Sequence, residues 1–273
     1  MKWLIVNADD FGISSKRNAG IIEAHRKGIV TSASLMAYAP AFREALKYAK
    51  ACPTLDLGVH LNLSDGEPVV LGHKTLVGPD GKFWGKQEAR RRAREGLLNL
   101  GEVERETDAQ IDVLQQAGLK VTHLNGHQHI HIFGALPDPI SRAASKRGIL
   151  HFRCPADKIR PPLEISAEKM TRLEEYRTAA HRATEIYAAM KMRCTEHFVG
   201  IGLSGYLTIA NLVTAIKQLP EGLTELMTHP GYADTPDGFS GPEREVELQA
   251  LTDPRIKLLL RRLQIELTHY GKL

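Results

Sequence analysis

"WLIVNADDFG", residues 3–12, is an apolar, β-rich run that stops at two aspartates and a glycine. The run Trp3–Ala8 reads as a strand, too short for a signal-peptide core and far too short for a membrane helix. It delivers two carboxylates at its C-terminal end. Successive side chains on a strand point to opposite faces, so Asp9 and Asp10 cannot aim the same way. Burying both without a cation is costly, because like charges a few ångströms apart resist joint ionisation. A divalent metal resolves the conflict; capping of the next turn is the plainer alternative.

The same rhythm continues outward from this strand. Runs at 32–38, 57–63, 121–126, 149–154, 197–202, 223–228 and 263–268 read as further strands. Helical stretches at 15–28, 41–51, 102–118, 137–148, 174–191 and 207–219 lie between them. In 102–118 the apolar residues Val103, Ile111, Val113, Leu114 and Ala117 leave the charges mostly on the other face, so one side packs and one is wet. Gly28, Gly118 and Gly148 fall just past helix ends, where a left-handed cap favours glycine. Such alternation implies parallel strands with right-handed crossovers. Eight strands in 273 residues predict an α/β fold, an irregular or incomplete TIM-like (β/α) barrel, with residues 1–273 as one domain. Residues 64–86 and 230–243 break the rhythm, being rich in glycine, proline and aspartate. Both follow a strand, on the face where barrels keep their active sites.

With 42% hydrophobic and 25% charged residues, the chain can bury a full core. The net charge of +4 is spread along it, and its densest basic run, "RRRAR" at 90–94, is flanked by Glu88 and Glu95. No clustered basic motif marks a nucleic-acid partner. Three scattered cysteines without a C-x-x-C pair fit a reducing compartment. No later segment reaches membrane length, so the expectation is a cytoplasmic protein that does not span a membrane.

Ionisable residues collect at strand ends: Asp9 and Asp10 on the first, His60 on the third, Arg153 on the fifth and His229 after the seventh. The fourth brings "HLNGHQHIH", residues 123–131, with four of the twelve histidines. Gly126 is expected to end that strand, making His127 the first residue past the rim and His123 a deeper one. One metal needs fewer imidazoles than this segment offers, so His129 and His131 read as supporting or substrate-facing residues. His60 alone, between apolar neighbours, would pass for a core histidine; beside Asp10 and His127 it reads as a ligand. Two imidazoles and a carboxylate leave room for water and substrate. A metal so held lowers the pKa of its water toward about 7. Asp9 is then placed to take that proton, and His229 to protonate a leaving group from the opposite side. Arg153 has the fixed donors to orient a carboxylate or bind substrate oxygens. The plainer alternatives are a structural ion pair for Arg153 and a turn before proline for His229.

The motifs "NADDFG" (7–12), "TSASLM" (31–36), "GVHLNL" (58–63), "NGHQHIH" (125–131), "FRCP" (152–155) and "MTHPGY" (227–232) run in order over nearly the whole chain. Together they resemble the YdjC/ChbG-like family of carbohydrate deacetylases, which includes the hopanoid-associated HpnK-type members. The resemblance implies a metal-dependent hydrolase on an irregular (β/α) barrel, often a homodimer, that removes acetyl groups from N-acetylated sugars or glycoconjugates. It implies metal ligands at Asp10, His60 and His127, with Asp9 in the base position, and one divalent ion, magnesium or zinc. One departure shows: before the ligand histidine the family usually has an aspartate and a serine-type residue, where this chain has Asn125 and Gly126. Trp84, Tyr232 and Phe239, in the two long loops, are candidates to stack on sugar faces.

Two other classes compete. A metal-dependent phosphoesterase or an amidohydrolase acting on a non-sugar substrate commonly carries His-x-His on its first strand, where this chain has only aspartates. A non-catalytic metal- or sugar-binding protein has little use for an extra carboxylate at Asp9.

Overall fold

The computed structural model describes residues 1–157, 167–234 and 239–273; of the loop 230–243, residues 235–238 lie outside the described residues. Eight strands occur among these residues, each within one of the runs named above or overlapping it. They are β1 (Lys2–Phe11), β2 (Ser32–Leu35), β3 (Asp56–Leu61), β4 (Val121–Gly126), β5 (His151–Phe152), β6 (His197–Val199), β7 (Gly222–Thr228) and β8 (Ile265–Thr268). The helices are α1 (Ser15–Arg26), α2 (Phe42–Ala51), α3 (Lys86–Arg94), α4 (Leu100–Gln116), α5 (Pro137–Lys146), α6 (Ala167–Ala189), α7 (Ile209–Lys217), α8 (Glu243–Thr252) and α9 (Pro254–Arg262). None of them is long and apolar enough to cross a membrane.

All strand pairings are parallel, in the order β5-β4-β3-β2-β1-β7-β6. β1 is shared along its length: Lys2–Ile5 pair with β8, and Asn7–Phe11 pair with β2. The sheet curls into an incomplete barrel whose end strands are β5 and β6; across the gap, His151 of β5 forms a bridge to Arg193, just before β6. Two hydrogen bonds make that bridge, Phe152 N–H to Arg193 O at 2.9 Å and Arg193 N–H to Leu150 O at 2.8 Å.

Strand alternation divides the sheet into two chemistries. Leu4, Val6, Ala33, Leu35, Leu57, Val59, Leu124 and Leu226 belong to the apolar core under the helices. The opposite face is polar and buried, with Asn7, Asp9, Ser34, His60, His123, Asn125, Arg153 and Glu225 filling the curl. Gly58 makes this possible, since a β-carbon there would stand 2.4 Å from His123 Nε2. Burying so many polar groups is tolerable only because they bond one another.

Helix α4 does more than pack. Its apolar side holds Val103, Ile111 and Leu114, as the sequence predicts, but Glu102, Glu106 and Gln110 on another side are buried rather than wet. Glu102 accepts the backbone N–H groups of Lys74 (2.8 Å) and Thr75 (2.9 Å), and Glu106 those of Val69 (2.8 Å) and Val70 (2.9 Å). Gln110 brackets Asn62, accepting from its N–H at 2.9 Å and donating to its C=O at 2.7 Å. Part of the loop after β3 pairs with itself, through a bridge from Val77 to Phe83, and these side chains of α4 satisfy backbone N–H groups at 69–70 and 74–75.

Candidate metal and catalytic centre

The C-terminal ends of β1, β3 and β4 bring Asp10, His60 and His127 together. His127 Nδ1 lies 2.9 Å from Asp10 Oδ1 and 3.3 Å from His60 Nε2, and His60 Nε2 lies 3.1 Å from Asp10 Oδ1. All three side chains are buried. Asp10 reaches this position from a left-handed backbone (φ 62°), which swings its carboxylate out of the strand's alternation. Arg17 of α1 braces its other oxygen at 3.2 Å.

The donor atoms fit a cation. Ligands about 2.0–2.2 Å from a common ion stand roughly 3–3.5 Å from one another, which is the spacing found here. The outer nitrogens are occupied: His60 Nδ1 bonds Asn125 Oδ1 at 2.6 Å and His127 Nε2 meets Asp65 Oδ2 at 3.2 Å. Each ring therefore turns its remaining lone pair to the shared point, opposite a carboxylate oxygen. That arrangement is repulsive unless a positive charge sits there. Burial opposes protonation of His127, yet Asp10 on one side of the ring and Asp65 on the other lift it to about 9.

Asp9 stands beside this group and outside it. Arg153 grips its carboxylate with both terminal nitrogens, at 2.5 and 2.7 Å, and Asn7 donates to it at 2.8 Å. Burial works against the charged form, but Arg153 holds Asp9 far below the usual carboxylate range. Arg153 is itself fully buried and bonded to Glu225, so its donors orient a carboxylate rather than face the cavity. His229, just past β7, has Nε2 at 3.9 Å from Asp9 Oδ2. Burial pushes it down to about 3, so it is neutral at physiological pH.

A cavity of about 680 Å³ opens over these groups. Asp9, Asp10, His60, His127 and His229 line its floor, while Lys86, Arg90, Tyr176, Tyr206 and Phe239 line its walls. Of the three loop aromatics, Phe239 faces the cavity, edge-on to His229 at 4.9 Å. Trp84 turns inward, donating to Thr75 O at 2.7 Å under Arg92, and Tyr232 bonds Glu23 on the surface. Tyr176 and Tyr206, outside the two long loops, line the cavity where Trp84 and Tyr232 do not.

The remaining histidines separate by depth. His123 lies under the centre, touching Asn7 Oδ1 at 3.0 Å and stacked on Tyr270 at 4.2 Å. His131 is buried behind it, bonded to Arg153 O at 2.9 Å, and His129 lines the cavity. Asp65 is the residue that sequence reasoning missed. Its one signal is position, a carboxylate just after the strand that carries His60.

Residues 3–262 match the family described as YdjC-like protein. A carbohydrate deacetylase of Brevibacillus brevis is 34% identical over 277 residues, covering 99% of both chains. The human carbohydrate deacetylase is 33% identical, over 94% of this chain and 86% of that one. Among solved structures, an Enterococcus faecalis protein provisionally described as a cellobiose-phosphate cleavage protein superposes with a TM-score of 0.78 at 27% identity, covering 99% of this chain and 98% of that one. Matched from its first strand to its last helix, and similar in sequence to these relatives over nearly its whole length, the chain belongs to the YdjC-like family.

Proposed function

We propose that this protein is a metal-dependent carbohydrate deacetylase that hydrolyses the acetamide of an N-acetylated sugar to acetate and an amino sugar. The observation that carries the reading is the converging trio Asp10, His60 and His127 beside a separate, arginine-gripped carboxylate, Asp9, on a cavity floor. Its deacetylase relatives support the choice of substrate class.

Asp10, His60 and His127 would hold the ion, zinc or magnesium, and the ion supplies Lewis acidity and a water of lowered pKa. Asp9 stays ionised and is fixed by Arg153, so it receives the proton as water attacks the acetyl carbon. His229 is neutral at the start. It takes up the proton on Nε2, the atom nearest Asp9, and passes it to the departing sugar nitrogen. Tyr206 and Phe239 line the cavity and give the sugar aromatic surface to rest against.

The test is acetate release from a panel of N-acetylated sugars, chitobiose included, after chelation and with zinc or magnesium restored. Release should return with metal and vanish in His127→Ala. Release that survives chelation, or phosphate release from an aryl phosphate in place of acetate, would sink this reading.

A further inference from the structure

Beneath the proposed centre, a polar column runs through the curl to a residue far from the cavity. Tyr270, in the 3-10 turn Tyr270–Lys272 after β8, is buried to 1% exposure against the opposite end of the sheet. Its hydroxyl donates to Glu225 Oε2 at 2.6 Å. Glu225, fully buried on β7, uses its other oxygen for Arg153, accepting from Nε at 2.8 Å and from Nη2 at 2.7 Å. The far edge of the same guanidinium grips Asp9.

The division of labour on Glu225 is the telling detail. A carboxylate facing a guanidinium ordinarily takes it side-on, one oxygen to each nitrogen. Here both Arg153 nitrogens converge on Oε1, because Oε2 is held by the phenol. The Tyr270 ring also supports a second line: it stacks on His123, which touches Asn7, which donates to Asp9. Both lines end on one carboxylate.

We propose that Tyr270 is a positioning residue for the reaction: by occupying Glu225 Oε2 it sets the tilt of Arg153, and with it the aim of Asp9 into the cavity. The inference rests on Asp9 being the proton acceptor. Without the hydroxyl, a buried acceptor is left unpaired, and Glu225 regains it a partner by rotating to take Arg153 side-on. The guanidinium turns with it and its fork on Asp9 opens.

Tyr270→Phe keeps the ring, the stack on His123 and the packing. With the metal-loaded protein and an N-acetylated chitooligosaccharide, kcat should fall about 5- to 30-fold while KM stays within twofold. Metal affinity, read by calorimetry, should not change. In an Asp9→Asn background the same substitution should cost nothing further, since its effect passes through Asp9. Glu225→Gln should give the same split between kcat and KM, and serves if Tyr270→Phe folds poorly. Wild-type kcat in Tyr270→Phe, a loss confined to KM, or an equal loss in the Asp9→Asn background would each overturn the proposal. Wild-type turnover in Asp9→Asn alone would instead remove Asp9 as acceptor and take the relay down with it.

Discussion

His127 shows how much one residue depends on its surroundings. Its Nδ1 faces Asp10 and His60, and its Nε2 faces Asp65, which also accepts from Gln128 Nε2 at 2.6 Å. A carboxylate on the outer nitrogen fixes the ring's tautomer and raises its basicity as a ligand. Asp65→Ala should therefore weaken zinc binding about 10- to 100-fold, measured by titrating the chelated protein. Unchanged affinity would reduce Asp65 to a loop residue. From the sequence, spacing alone makes His127, His129 and His131 equivalent, because an extended chain puts alternate residues on one side. The chain leaves the strand at Gly126 and turns through left-handed Gln128 and His129 (φ 54° and 58°), which breaks that equivalence. Position past the rim singles out His127; for Asp65 the sequence offers only its place just after the strand that carries His60.

At the scale of elements, α4 acts as a clamp on the loop that carries Asp65. The carboxyl of Glu102 is buried, which alone would raise its pKa, but the Thr75 hydroxyl and the N–H groups of Lys74, Thr75 and Leu76 bring it from 4.5 down to about 2. Its folded value is depressed, so the stability it confers is fully present above about pH 4.5 and is lost as pH falls toward 2. Glu102→Gln should cost about 2–3 kcal/mol at pH 7 by urea unfolding, and the gap from wild type should narrow below pH 4.5. A gap independent of pH would mean that packing, not charge, holds the loop. Charge also hides elements from a sequence reader. Helix α3 buries only Ala89, Arg90 and Ala93, and α8 buries Arg244 and Glu247 beside Leu248, Ala250 and Leu251, so charged residues interrupt the buried side of both. Helix α9 does carry signals, Asp253 capping its start and Pro254 in its first turn.

For the whole molecule, the eight strands were legible because each is apolar on the face that meets the helices. The strand order was not, since no local pattern tells β1 to lie between β7 and a shared edge of β2 and β8. Nor did the pattern fix where the barrel stays open. That seam has a kinetic meaning. β1 is bonded along both sides, whereas the amides of Phe152 and Arg193 rest on a two-bond bridge. Deuterium should enter at Phe152 and Arg193 roughly 10- to 100-fold faster than at Ile5 or Val6, as read by residue-resolved hydrogen exchange. Equal protection would mean the curl opens only when the whole sheet does. If the seam exchanges first, the lip that breathes adjoins Arg153, and the grip on Asp9 is anchored at the least protected edge of the sheet.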